Sequence, residues 1–127
     1  MSKVFLVGLG GFAGSALRYW IGGLVQGAVA GSTFPFGTLA VNVTGCFAIG
    51  ALSQLGEAQN AMSPGTRALI VVGLLGGYTT FSAFGNETVN LLRDGQRLAA
   101  AANVGGNLVL ALGAVWLGRM TVHWIWR

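Results

Sequence analysis

Charge is so sparse in this chain that it divides the sequence into apolar runs of about 20 residues, the length that carries a helix across the hydrocarbon core of a bilayer. Val4 to about Val25 is the first run, interrupted only by Arg18. The stretch "GSTFPFG", Gly31 to Gly37, follows as a turn, because Pro35 cannot continue a helix and biases Phe34 away from helical angles. Gly37 to Gly56 is the second run, closed by Glu57 and the polar "EAQNAMSPGTR", in which Ser63-Pro64 predicts a helix start. The third run is Ala68 to Asn86, within a helix expected from about Arg67 to about Leu91. "RDGQR", Arg93 to Arg97, is a short charged turn; Leu98 to Gly118 is the fourth run, and Trp124 and Trp126 in the tail suit an interface. Hydrophobic residues make up 54% of the 127 positions and charged residues only 8%, too little charge to keep a soluble surface wet. The expected fold is an all-α membrane protein of four transmembrane helices, residues 1–127 forming one domain. Lys3 and the apolar run after it resemble a signal peptide but lack a clean cleavage site, so the run is read as part of the mature chain.

Four spans put both termini on one side. Lys3, Arg67, Arg119 and Arg127 then face Arg93, Arg97 and Arg18 across the membrane, four basic residues against three. So small a bias gives no orientation signal. Either copies insert both ways and pair as an antiparallel dimer about a two-fold axis in the membrane plane, or a partner or the translocon fixes one orientation. The net charge of +4 comes from basic residues scattered singly, without the aromatic interleaving of a nucleic-acid face, so no nucleic-acid partner is expected. Cys46 is alone, without a disulfide or metal partner, and is read as a packing residue. His123 lies in the tail with no nucleophile or metal cluster to serve, which argues against an enzyme.

The polar residues inside the spans carry the functional information. Gly10 and Gly14, Gly23, Gly27 and Gly31, and Gly73 and Gly77 keep the four-residue spacing that brings helix backbones together in lipid. Thr38 and Asn42 share a stripe with Gly45, and Asn103 and Asn107 repeat the spacing beside Gly106. A buried asparagine in hydrocarbon either glues helices or faces a wet pathway. In "GGYTTFSAFGNE", Gly76-Gly77 weakens the third helix near its middle and Thr79-Thr80 adds two β-branched residues. A helix broken there frees carbonyls, which two opposed copies could use to hold a small cation such as sodium; the alternative is a glycine kink with hydroxyls bonded back to the preceding turn. Phe81 and Phe84 fall on one face, beside Thr80, Ser82 and Thr88, and ring edges with hydroxyl donors can face an anion. Glu87 either caps a solvated mouth or takes part in anion or proton handling. Arg18 either snorkels to the surface or gives a vestibule positive potential.

Together "GGFAGSALRYW", "FGTLAVNVTGCFAIG" and "GLLGGYTTFSAFGNE" resemble the Fluc (CrcB-type) fluoride ion channels over essentially the whole chain. The resemblance implies an antiparallel, dual-topology homodimer with two pores, exporting fluoride passively across a prokaryotic plasma or inner membrane to relieve its toxicity. It implies pore-facing Phe81 and Phe84, the pore asparagine Asn42, a hydroxyl track including Thr80 and Ser82, Arg18 in the first helix and Glu87 after the motif. A central structural sodium ion would fall on the carbonyls of Gly76 and Thr79. Many family members carry hydroxyls where this chain has Ala83, Asn107 and Leu110; Asn107 keeps a hydrogen-bonding group there, and the donors expected to meet fluoride are Asn42, Thr80, Ser82 and Asn107. The alternative from another class is a small proton-coupled exporter of cationic metabolites or drugs, which needs a membrane-embedded carboxylate; Glu57 and Glu87 read as lying at or near span ends.

Overall fold

The computed structural model describes residues 2–59 and 62–126, and every regular element among them is helical. Ser2 opens α1 (Lys3–Ala28) by accepting the Phe5 N–H on its hydroxyl at 3.3 Å. The chain reverses through Gly31, whose φ of 98° suits a residue without a Cβ. Gln26 fastens this reversal: its amide nitrogen donates to the carbonyls of Ser32 and Phe34, and its oxygen accepts the Gly37 N–H. α2 (Phe36–Gln59) therefore starts directly after Pro35, as the turn sequence predicts.

Ser63 and Pro64 open the third span as expected, the Ser63 hydroxyl accepting the Thr66 N–H at 3.1 Å. This span occupies Pro64–Arg93. Its first part, α3 (residues 64–78), contains wide turns over Arg67–Leu75, where the hydrogen bonds reach back five residues, and ends in an α-helical turn at Gly76–Tyr78. Thr79 and Thr80 then take extended angles, with φ/ψ of −81°/157° and −150°/120°. α4 (Phe81–Arg93) follows, capped by Thr80, whose hydroxyl accepts the Ala83 N–H. Of the expected weak point, the double glycine stays helical and the departure from helical angles falls on the Thr79-Thr80 pair. A tertiary competitor decides this: the Thr80 N–H, which a continuous helix would give to the Gly76 carbonyl, goes to Asn42 Oδ1 at 2.8 Å. Gly95 turns the chain with φ 76°, and α5 (Arg97–Ile125) runs about two turns beyond the expected end at Gly118.

Four helical spans in this structure are long and apolar enough to cross a membrane. The loops alternate between two ends. Arg119 pairs with Glu57 through two 3.0 Å bonds at one end, and the Thr33 hydroxyl donates to Gln96 Oε1 at the other. Glycine sets the closest approaches. A Cβ at Gly10 or Gly14 would strike the backbone of Leu69, Leu74 or Tyr78, and one at Gly73 or Gly77 would strike Val7 or Gly11, so α1 and α3 touch backbone to backbone. Gly50 and Gly118 do the same for α2 against α5. Gly23 and Gly27 of the predicted stripe meet open space, so that stripe packs nothing within the chain. Large apolar side chains such as Val4, Phe12, Tyr19 and Leu98 point outward, while the most deeply buried side chains include an asparagine, Asn103.

Candidate functional site

The core of the chain is a hydrogen-bonded circuit of amides and hydroxyls on α2, α4 and α5. Asn42 on α2 clamps the extended backbone of Thr80, accepting its N–H at 2.8 Å and donating to its carbonyl at 3.1 Å. The same amide nitrogen donates to Asn107 Oδ1 on α5 at 2.9 Å. Asn107 in turn donates to the backbone and side-chain oxygens of Asn103, each at 3.0 Å. Asn103 donates to the Thr88 hydroxyl at 2.9 Å, and that hydroxyl donates to the Phe84 carbonyl at 2.8 Å. An amide nitrogen carries two N–H groups, and those of Asn42 and Asn107 each have two protein acceptors. In hydrocarbon such pairing is what makes a buried amide tolerable.

Two cavities flank this circuit. One, of about 220 Å³, is lined by Asn42, Cys46, Thr79, Thr80, Phe81, Phe84 and Asn107. The two rings lie 5.3 Å apart between centroids at 54°, so edges as well as faces are presented. Their exposure differs sharply: Phe84 is 9% exposed and Phe81 80%. The other cavity, of about 670 Å³, is lined by Arg18, Gln26, Thr38, Val41, Thr80 and Glu87, among others. Thr80 lines both, and Val41 and Asn42, adjacent in α2, face opposite cavities.

The structure thus brings Asn42, Thr80, Phe81, Phe84 and Asn107 to one cavity and Arg18 and Glu87 to the other. Arg18 does not run to the surface alone; its Nη1 donates to the Thr79 carbonyl at 3.4 Å. Glu87 accepts the Thr38 hydroxyl at 2.6 Å, and its second carboxyl oxygen is buried without a partner among the described residues. The third span continues to Arg93, which leaves Glu87 about 9 Å of helix rise inside that end. Ser82 is exposed, and its hydroxyl lies 3.3 Å from that of Thr80 without lining the smaller cavity. Gly76 is exposed and Thr79 half-buried. Two residues were missed as members of the site: Cys46 on the cavity wall, which gave no signal beyond its place one turn from Asn42, and Asn103, whose four-residue spacing from Asn107 was visible.

Residues 5–119 match the family described as "CrcB-like protein, Camphor Resistance (CrcB)". The chain is 47% identical over 116 residues to the fluoride-specific ion channel FluC of Rhodospirillum rubrum, an alignment covering 90% of this chain and 89% of that one. It is 50% identical over 122 residues to the protein of the same name from Shewanella sp. strain W3-18-1, covering 96% and 97% of the two chains. For the Nitratidesulfovibrio vulgaris protein of that name the identity is 45% over 118 residues, covering 93% and 94%. With four membrane-length helices and matches of this extent, the chain belongs to the CrcB family and is a multi-pass protein of a prokaryotic membrane.

Proposed function

We propose that two copies of this chain, inserted in opposite orientations, form a channel that lets fluoride leave the cytoplasm down its electrochemical gradient. The observation that carries this reading is the small cavity in which the Asn42–Thr80–Asn107 cluster meets the Phe81 and Phe84 rings, in a chain similar throughout to proteins named fluoride-specific ion channels. Fluoride is compact and strongly hydrated, so a selective path must replace its water with protein donors in a narrow space. Asn42 can do so by exchange. Its amide nitrogen already bonds to Asn107 Oδ1 and the Thr80 carbonyl, so an N–H turned to the ion gives up a protein acceptor for an anionic one. One-for-one exchange keeps the net binding small, as fast passage requires.

Thr80 borders both cavities, so an ion entering past Arg18 meets its hydroxyl before the rings. Arg18 attracts the anion without trapping it, because its guanidinium is also held by the Thr79 carbonyl. Phe81 supports the need for a second copy: at 80% exposure its ring cannot line a narrow tube until another surface covers it. In the antiparallel arrangement the extended pair Thr79–Thr80, at the middle of Pro64–Arg93, breaks the third span near the two-fold axis. The Gly76 carbonyl has lost its helical donor to Asn42, and Gly76 lies on the subunit surface. With the Thr79 carbonyl it offers the oxygen set that suits a hard cation such as sodium. When bound, that ion supplies fixed positive charge at the dimer centre. The symmetry gives two equivalent pores. Hydrogen fluoride that enters as the neutral acid dissociates in the cytosol and leaves as the ion.

The test is anion efflux from liposomes that contain only the purified chain, with a potassium shunt to balance charge. Rapid fluoride loss with chloride retained is the expected result. Retention of both ions by a folded, correctly reconstituted protein overturns the proposal.

A further inference from the structure

We infer that Asn103, which lines neither cavity, is a positioning residue that fixes the width of the fluoride path. The inference rests on the reading of the Phe81–Phe84 cavity as that path. Asn103 is 0% exposed, so its amide must be satisfied by protein. Its Oδ1 accepts from Asn107 and its nitrogen donates to Thr88, whose hydroxyl donates to the Phe84 carbonyl. Those bonds turn a pair of asparagines into a circuit. It leaves the third span at the Thr80 backbone, crosses α2 through Asn42 and α5 through Asn107 and Asn103, and returns to the third span at Phe84.

Backbone groups fix the directions from one end of it, and each amide then fixes the next. Thr80 N–H can only donate and Thr80 C=O can only accept, which sets the orientation of Asn42. The Asn103 carbonyl can only accept, which turns the Asn107 nitrogen toward it and the Asn107 oxygen toward Asn42. Asn103 Oδ1 faces the Asn107 nitrogen, so the Asn103 nitrogen points to Thr88, whose hydroxyl accepts there and turns its own hydrogen to the Phe84 carbonyl. Reversing any amide sets oxygen against oxygen or N–H against N–H. The closed circuit therefore holds three walls of the cavity, Asn42, Asn107 and Phe84, at set separations. Cutting it behind Asn107 frees Phe84 and α4 to move away from α2 and α5 without removing any group that touches the ion. A wider path passes fluoride less well, because the donors no longer reach it together, and excludes chloride less well.

The experiment compares fluoride and chloride efflux from liposomes of the full-length chain and the variants Asn103→Ala, Thr88→Val, Thr88→Ser and Asn103→Ala/Thr88→Val, each checked for dimeric assembly. Asn103→Ala and Thr88→Val are expected to lower fluoride flux about tenfold and to raise the chloride-to-fluoride ratio. Thr88→Ser, which keeps the hydroxyl, is expected to stay within about twofold of the parent, and the double variant to be no worse than the poorer single one, since both cut one circuit. Should Asn103→Ala not assemble, the near-isosteric Thr88→Val carries the test by itself. Parent-like flux and selectivity in assembled Thr88→Val, or losses that multiply in the double variant, overturn the inference alone. A parent chain that assembles but passes no fluoride overturns the channel reading and this inference with it.

Discussion

Replacing Asn42 by alanine removes the side chain that joins the extended backbone of the third span to α5. Three bonds go at once: the accepted Thr80 N–H at 2.8 Å, the donation to the Thr80 carbonyl at 3.1 Å and the donation to Asn107 at 2.9 Å. Thr80 is 8% exposed and Asn107 8%, so their freed groups have little water to turn to. Each buried group left unpaired costs about 1–3 kcal/mol. Some of that returns if the Thr80 N–H reverts to the Gly76 carbonyl and the third span becomes a continuous helix. Allowing for that recovery, the clamped arrangement loses on the order of 3 kcal/mol relative to its alternatives, and if only the clamped form conducts, fluoride flux falls on the order of 100-fold. The assay is efflux from liposomes followed with a fluoride electrode, on protein whose size-exclusion profile matches the parent's. Asn42→Asp serves as the companion. It keeps the acceptor for the Thr80 N–H, loses both donors, and adds a buried negative charge facing the anion, so it is expected to be at least as poor. Flux within about threefold of the parent for Asn42→Ala would refute the clamp argument, since that corresponds to well under 1 kcal/mol.

Phe81→Ile and Phe84→Ile should both abolish conduction with the parent's assembly state kept, but only Phe84→Ile, at 9% exposure against 80%, should also lower stability in detergent, by about 1 kcal/mol. Full flux in both variants rejects the role of the rings. Cys46 is the sole cysteine and lines the small cavity, so a methanethiosulfonate reagent is expected to block fluoride efflux and Cys46→Ser to conduct unblocked; undiminished flux after complete labelling places the path elsewhere. Gly14→Ala, whose Cβ would run into the Leu74 carbonyl and within 2.8 Å of the Tyr78 nitrogen, should cost about 1–3 kcal/mol in thermal unfolding. Gly27→Ala, which meets nothing within 4 Å in the subunit, should leave unfolding unchanged, and equal losses in the two variants contradict the packing described.

Much of the architecture could be read locally. Ten charged residues in 127 fix where spans end, because a charge in the hydrocarbon is expensive. Pro35 and the Ser63-Pro64 pair start helices through restrictions confined to a few neighbouring bonds. Of the two pairs expected to weaken the third span, Gly76-Gly77 stays helical and Thr79-Thr80 leaves helical angles; local propensity could not choose between them, because the outcome depends on Asn42, 38 positions away, capturing the Thr80 N–H. The membership of Asn42, Phe84 and Asn107 in one cavity was legible from their character in apolar helices. That Ser82 faces outward and that Asn103 ties Asn107 to Thr88 was not, since both depend on the rotation of α4 and α5 about their axes. Glu87 reads as lying near the end of the third span because the apolar run stops at Asn86, and the helix ends at Arg93, two residues past the expected Leu91.

The most direct test of the central claim is the reversal potential of the current carried by the purified chain in a planar bilayer under a fluoride gradient at equal pH on both sides. A passive fluoride channel predicts a shift of about 59 mV per tenfold gradient, unchanged when a pH gradient is added and absent when the gradient is of chloride. A reversal potential that follows the proton gradient, or no current under a fluoride gradient, would contradict it.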